Sequence, residues 1–134
     1  MSIAISTALQ TSFDDAVSRT REALAEQGFG VLTEIDMKAT LKKKLDADME
    51  DYLILGACNP PLAHRAVTVD PQIGLLLPCN VVVRTDPADD TRVLVEAIDP
   101  QMLVQVTGEP GLQDVADEVA AKLRAAIAAV GASG

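Results

Sequence analysis

The feature that most constrains this chain is an aliphatic run followed by a turn and a second aliphatic run. Residues 75–84 read Leu-Leu-Leu-Pro-Cys-Asn-Val-Val-Val-Arg, the strongest strand pattern in the sequence. Asp86-Pro87-Ala88-Asp89-Asp90 follows as a hairpin loop, and residues 92–98 return as a strand. A hairpin joins antiparallel neighbours, whereas parallel strands need a long crossover. At least part of the sheet must therefore be antiparallel.

The rest of the chain mixes strands and helices without regular alternation. Residues 2–9 carry Ile3, Ile5 and Leu9 and predict a first strand. Thr11 or Ser12 caps a helix, with Asp15 three residues after Ser12 in a capping-box-like spacing. Phe13, Val17, Thr20 and Leu24 continue it at helical spacing, and Gly28 stops it. Phe29, Val31, Thr33 and Ile35 alternate with Gly30, Leu32, Glu34 and Asp36, which predicts a strand. Asp36 then caps a helix carrying Met37, Leu41 and Leu45, and residues 46–51 form a polar connection.

Residues 52–58 are a compact apolar strand that ends in Asn59-Pro60-Pro61. Asn is a favoured N-cap and Pro a favoured first helical residue, so a short helix over residues 60–67 follows. Val69-Asp70-Pro71 is a turn. Asp99-Pro100 and Glu109-Pro110 repeat the cap-then-proline device. The first starts a helical turn over residues 100–105, the second the last helix. That helix carries Leu112, Val115, Val119, Leu123, Ile127 and Val130 on one stripe, with Gly131 as its stop. Together these elements predict a single α+β domain over residues 1–134, a mainly antiparallel sheet with helices packed on one face. The Ala/Gly/Ser tail reads as fraying.

Composition narrows the partners. The chain has 134 residues, of which 49% are hydrophobic, enough for a core without disulfide staples. Twenty acidic residues face eleven basic ones, a net charge of −9. Such a surface repels phosphate backbones, which argues against nucleic acid. The only basic run, Lys42-Lys43-Lys44, reads as a solvated helix face. No charge-free stretch approaches the ~20 residues of a membrane span, so no membrane partner is expected. The start, Met-Ser-Ile-Ala-Ile-Ser, has no basic region of a signal peptide. The expected compartment is the cytoplasm, with Cys58 and Cys79 reduced.

Chemistry concentrates in two Cys-Asn pairs, Cys58-Asn59 and Cys79-Asn80. Cys58 immediately precedes a helix start, where backbone N–H groups and the helix dipole would favour a thiolate. The bland alternative is a small buried hydrophobe at a strand end. Pro78 beside Cys79 marks an edge or a bulge. Asn80, in an aliphatic run, needs a hydrogen-bond partner, such as a neighbouring loop it ties down. His64 is the only histidine, and surface or core filler is its bland reading. Cys58, Cys79 and His64 would make a soft N/S site if folding gathered them, though three ligands are fewer than a closed zinc site uses. A disulfide would need the two α-carbons within ~7 Å. Asp86, Asp89 and Asp90 lack EF-hand spacing and read as a solvated turn.

Three blocks are also familiar in order and distance. They are Gly28-Phe29-Gly30-Val31-Leu32-Thr33-Glu34-Ile35-Asp36, then Ile54-Leu55-Gly56-Ala57-Cys58-Asn59-Pro60 with Ala63-His64, then Ile73-Gly74-Leu75-Leu76-Leu77-Pro78-Cys79-Asn80-Val81. They resemble the domain-of-unknown-function 302 family of bacteria and archaea, over essentially the whole chain. The resemblance implies an α+β domain with a TATA-binding-protein-like topology, typically a homodimer. It implies no activity and no cofactor, and points to Cys58, Asn59, His64, Cys79 and Asn80 as the place to look.

The favoured function is a small-ligand or soft-metal binding module with its pocket near Cys58 and Cys79. A structural homodimer without a ligand is the alternative. A thiol enzyme using Cys58, with His64 as base, has the least behind it.

Overall fold

A computed structural model describes residues 3–132. Five strands form one antiparallel sheet in the order β1-β5-β4-β3-β2. They are β1 (Ala4–Leu9), β2 (Gly30–Asp36), β3 (Tyr52–Cys58), β4 (Cys79–Asp86) and β5 (Asp89–Ile98). The helices are α1 (Phe13–Glu26), α2 (Met37–Leu45), α3 (Pro60–Val69), α4 (Gln101–Thr107) and α5 (Gln113–Ala132), with 3₁₀ turns at Pro71–Leu76 and Pro110–Leu112. The α+β class and the antiparallel sheet are as the sequence predicts. Of the first strand's expected residues, Ser2 lies outside the described ones, as do the last two residues of the tail.

The pleat explains which residues make the core. Leu53, Leu55 and Ala57 of β3, Cys79, Val81 and Val83 of β4, and Val93, Val95 and Ala97 of β5 all lie buried. Their period of two sends them to one face. Helices α1 and α5 pack there, and the predicted α5 stripe from Val115 to Val130 is buried in the same cluster. Thr20 is the one buried polar residue among the described ones, and its hydroxyl donates to the Ala16 carbonyl at 2.7 Å. Ser12 caps α1 by accepting from Asp15 N, and Asp36 caps α2 by accepting from Ala39 N. Unlike the other helices, α2 buries no residue.

Four expectations need correction. Residues 75–84 are not one strand. Asp70 accepts from Gln72 N and starts the 3₁₀ turn Pro71–Leu76, which buries Ile73; β4 begins only at Cys79, after the cis Leu77–Pro78 bond. An acid followed by proline set the local structure against the aliphatic run. The hairpin loop is also tighter than expected, because β4 ends at Asp86 and β5 resumes at Asp89. Finally, Gly131 does not stop α5, which continues to Ala132. A Cβ at Gly131 would lie 2.5 Å from Thr7 Oγ1, so this glycine lets the helix approach β1 closely. Likewise Glu109 caps the 3₁₀ turn Pro110–Leu112 through Gly111 N rather than α5 itself.

Candidate functional site

The two Cys-Asn pairs meet where the C-terminal end of β3 lies against the start of β4. Ala57 is opposite Cys79, and Gly56 opposite Asn80. Cys58 closes β3 opposite Gly30 of β2. Cys58 and Cys79 both line one half-open chamber of about 180 Å³, walled by Phe29, Leu62, Leu77, Leu103 and Val115 among others. No charged side chain lines it.

Both thiols are free. Burial pushes the Cys79 thiol up to about 11 from its ordinary 9.0, and the neighbouring Cys58 adds to the shift. Desolvation penalises the thiolate, and a second sulfur nearby penalises it further. Cys79 is therefore a neutral thiol at physiological pH, not a nucleophile.

The helix start after Cys58 lacks the free backbone donors expected of it, for a reason visible in its neighbours. Pro60 and Pro61 occupy the first two positions of α3 and carry no N–H. The next N–H, of Leu62, goes to Asn59 Oδ1 at 3.5 Å, and that of Ala63 to the Asn59 carbonyl at 2.8 Å. Residues 60–63 thus leave no backbone N–H for an anion. Proline improves the helix start but removes the anion site that such a start otherwise offers.

Asn59 lines the chamber but its polar atoms are already committed. Its Nδ2 donates to the Gln27 carbonyl at 3.3 Å while Oδ1 caps α3, so one amide ties the end of α1 to the start of α3. Gly28, at φ +84°, sits against that amide; a Cβ there would lie 3.2 Å from Nδ2.

Asn80 and His64 lie elsewhere. Asn80 is exposed in β4, while its neighbours Cys79 and Val81 face the core. It needs no buried partner, so the expected loop tie is absent. Pro78 marks no bulge but stands at the one-sided end of β4: Cys79 and Asn80 pair with β3 alone, and pairing with β5 begins at Val81. His64 lines a separate groove with Arg65, Thr68 and Asp114. The helical phase separates it, since Leu62 and Ala66 turn one side of α3 toward the chamber and His64 and Thr68 lie on another. The soft three-ligand site is thus not assembled, and among the described residues no three His, Cys, Asp or Glu side chains cluster as metal ligands.

Gly56 is a site residue that sequence reasoning missed. A Cβ there would lie 2.1 Å from Thr33 Oγ1 and 2.8 Å from Pro78 Cγ. The Pro78 ring is seated over β3 only because Gly56 is bare. The chamber walls Phe29, Leu103 and Val115 were also missed; each looks like ordinary core in its own helix or strand pattern, and no local signal says that they meet.

The family model "Domain of unknown function DUF302" matches residues 5–130. The chain belongs to the DUF302 family. An uncharacterised conserved DUF302 protein of Bacillus stearothermophilus, known from a crystal structure, is similar in fold, with a TM-score of 0.88. The two are 26% identical, over 97% of this chain and 99% of that one. No curated protein matches this chain. Membership of DUF302 brings a fold and no reaction, so the chemistry of the chamber carries the functional argument. No helix among the described residues is long and apolar enough to cross a membrane.

Proposed function

We propose that this DUF302 chain is a binding module for a small apolar molecule held in the Cys58–Cys79 chamber. One observation carries the reading: two thiols from separate strands line a half-open cavity of about 180 Å³ with no charged wall. Cavities of about 150 Å³ with apolar walls stay dry and take up benzene-sized molecules. The Cys79 thiol, held neutral by burial, behaves as another apolar wall atom.

The second reading is a soft metal ion, favoured by two thiols sharing the chamber without an oxygen ligand. Such an ion would have to displace the proton that burial holds on Cys79. A homodimer remains our proposal for the assembly, supported by the exposed edge strand β2 and by α2, which buries nothing. The two unpaired cysteines support a reducing compartment such as the cytoplasm.

Thermal melting with benzene, and separately with silver(I), tests these readings. A ligand present at a hundred times its Kd stabilises the fold by about 3 kcal/mol. Ala63→Phe, which fills the chamber from α3, should abolish the benzene shift. Absence of any shift with benzene would overturn the apolar-ligand reading. A shift with silver(I) that disappears in both Cys58→Ala and Cys79→Ala would favour the ion instead. Sedimentation analysis tests the dimer, and a monomer at micromolar concentration would overturn it.

A further inference from the structure

A larger hollow adjoins the chamber. It measures about 310 Å³ and is lined by Leu75, Leu76, Met102, Val106, Ile98 and Asn80, together with Leu77, Pro78 and Leu103. Those last three residues also line the thiol chamber. The two hollows therefore meet at one wall, made by the segment that leads into β4 and by α4.

The outer groove is apolar where a protein surface usually is not. Leu75 is 85% exposed and Val106 61% exposed, on opposite banks formed by the 3₁₀ turn and α4. Large adjoining apolar side chains left in water mark a binding groove more often than chance exposure. No charged side chain lines it, and Asn80 is its one polar side chain. Asn80 makes no side-chain hydrogen bond among the described residues. Its amide offers donors and an acceptor to whatever lies in the groove.

We propose that the outer groove and the thiol chamber form one bipartite site for an elongated, uncharged aliphatic molecule with a single hydrogen-bonding group. The chain passes Leu77 and Leu103 into the chamber, and Asn80 reads the polar group in the groove. This rests on the chamber reading above and names its ligand class. Three shared wall residues place the two hollows side by side, and a molecule that occupies both across that wall must be elongated. The lack of any cation on the lining, in a molecule of net charge −9, selects a neutral head over a carboxylate.

Calorimetric titration of the full chain with hexanol, octanol, decanol and decanoate tests it, with benzene as the probe of the inner chamber alone. Affinity should rise by up to about fourfold per added methylene from hexanol to decanol. Decanoate should bind at least about tenfold more weakly than decanol, the effect of one unpaired charge-bearing head. Leu75→Asp with Val106→Asp, both at exposed positions, should cost decanol about tenfold and leave benzene unchanged. Asn80→Leu should also cost decanol about tenfold, the worth of one hydrogen bond at the strong end of its range. Equal affinities along the alcohol series, or decanol binding untouched by the groove variant, would overturn the bipartite site while benzene binding leaves the chamber standing. If the groove variant changes the sedimentation mass and the alcohols bind alike, the groove covers a second copy and the proposal is wrong. Should benzene fail as well, the chamber and the bipartite site fall together.

Discussion

Cys58-Asn59 and Cys79-Asn80 are the same dipeptide, yet their side chains do four different jobs. Cys58 is half-buried at a strand end and Cys79 is buried in the core. Asn59 bonds two helix termini together, whereas Asn80 is exposed and unbonded among the described residues. The difference lies in the phase of each pair against its strand. β3 ends at Cys58, so Asn59 leaves the sheet and turns into α3. β4 starts at Cys79, so Asn80 stays in the pleat, on the opposite face from Cys79 and Val81. A residue pair carries no role until the strand boundary beside it is fixed.

That boundary rests on Gly56, and breaking it should give the largest effect. Gly56→Ala drives a methyl toward Thr33 Oγ1 at 2.1 Å and Pro78 Cγ at 2.8 Å. We expect a loss of about 3 kcal/mol in denaturant unfolding, the upper end of ordinary overpacking. Adding Thr33→Ala should restore part of it by removing the nearer atom. An unchanged midpoint for Gly56→Ala would show that the Pro78 ring is free to move off β3.

The next effect is read at the buried Cys79 thiol by pH. The Cys79 proton is held more tightly in the folded state, where its pKa is about 11, than in the unfolded chain, near 9. Its contribution is thus complete below pH 9 and is lost as pH rises toward 11. Over that window wild type should lose about 2 kcal/mol relative to Cys79→Val, whose position cannot titrate. Parallel unfolding curves for wild type and Cys79→Val across that window would mean that the Cys79 sulfur reaches water.

Much of the fold was readable because it rests on local signals. Ser12, Asp36 and Asn59 cap the helices that their spacing announces, and the Val115–Val130 stripe is buried as its period requires. Misreadings arose where two local signals competed or where the deciding contact was distant. Asp70-Pro71 overrode the aliphatic character of Leu75 and Leu76. Gly131 looked like a helix stop, but its reason is Thr7, more than a hundred residues away in sequence. The cysteines' shared chamber was foreseeable only as a conditional, since the β3–β4 register that unites them is a tertiary fact. His64 lies on α3 as expected, but helical phase puts it about 200° round from Leu62, in the groove lined by Asp114 rather than beside the sulfurs.

Replacing each asparagine sharpens the comparison further. Asn59→Ala removes an N-cap and the bond to the Gln27 carbonyl, at a cost of about 1–2 kcal/mol. Asn59→Asp should retain the cap but lose the Nδ2 donor, and fall between wild type and Ala. If Asn59→Ala unfolds like wild type, the long 3.5 Å cap contributes nothing and the prolines alone start α3.

The smallest effect is expected at Asn80, and its smallness is informative. Asn80→Ala removes an exposed amide with no partner among the described residues, so the unfolding midpoint should stay within about 0.5 kcal/mol of wild type. Asparagine is a poor strand former, and alanine is scarcely better, so propensity gives no reason for its presence in a central strand. Stability alone therefore does not account for a polar residue amid Val81, Val82 and Val83. A neutral unfolding result combined with weakened decanol binding would place the role of Asn80 outside the fold and in the groove. A marked loss of stability in Asn80→Ala would instead make it a structural residue like Asn59, and the contrast between the two pairs would disappear.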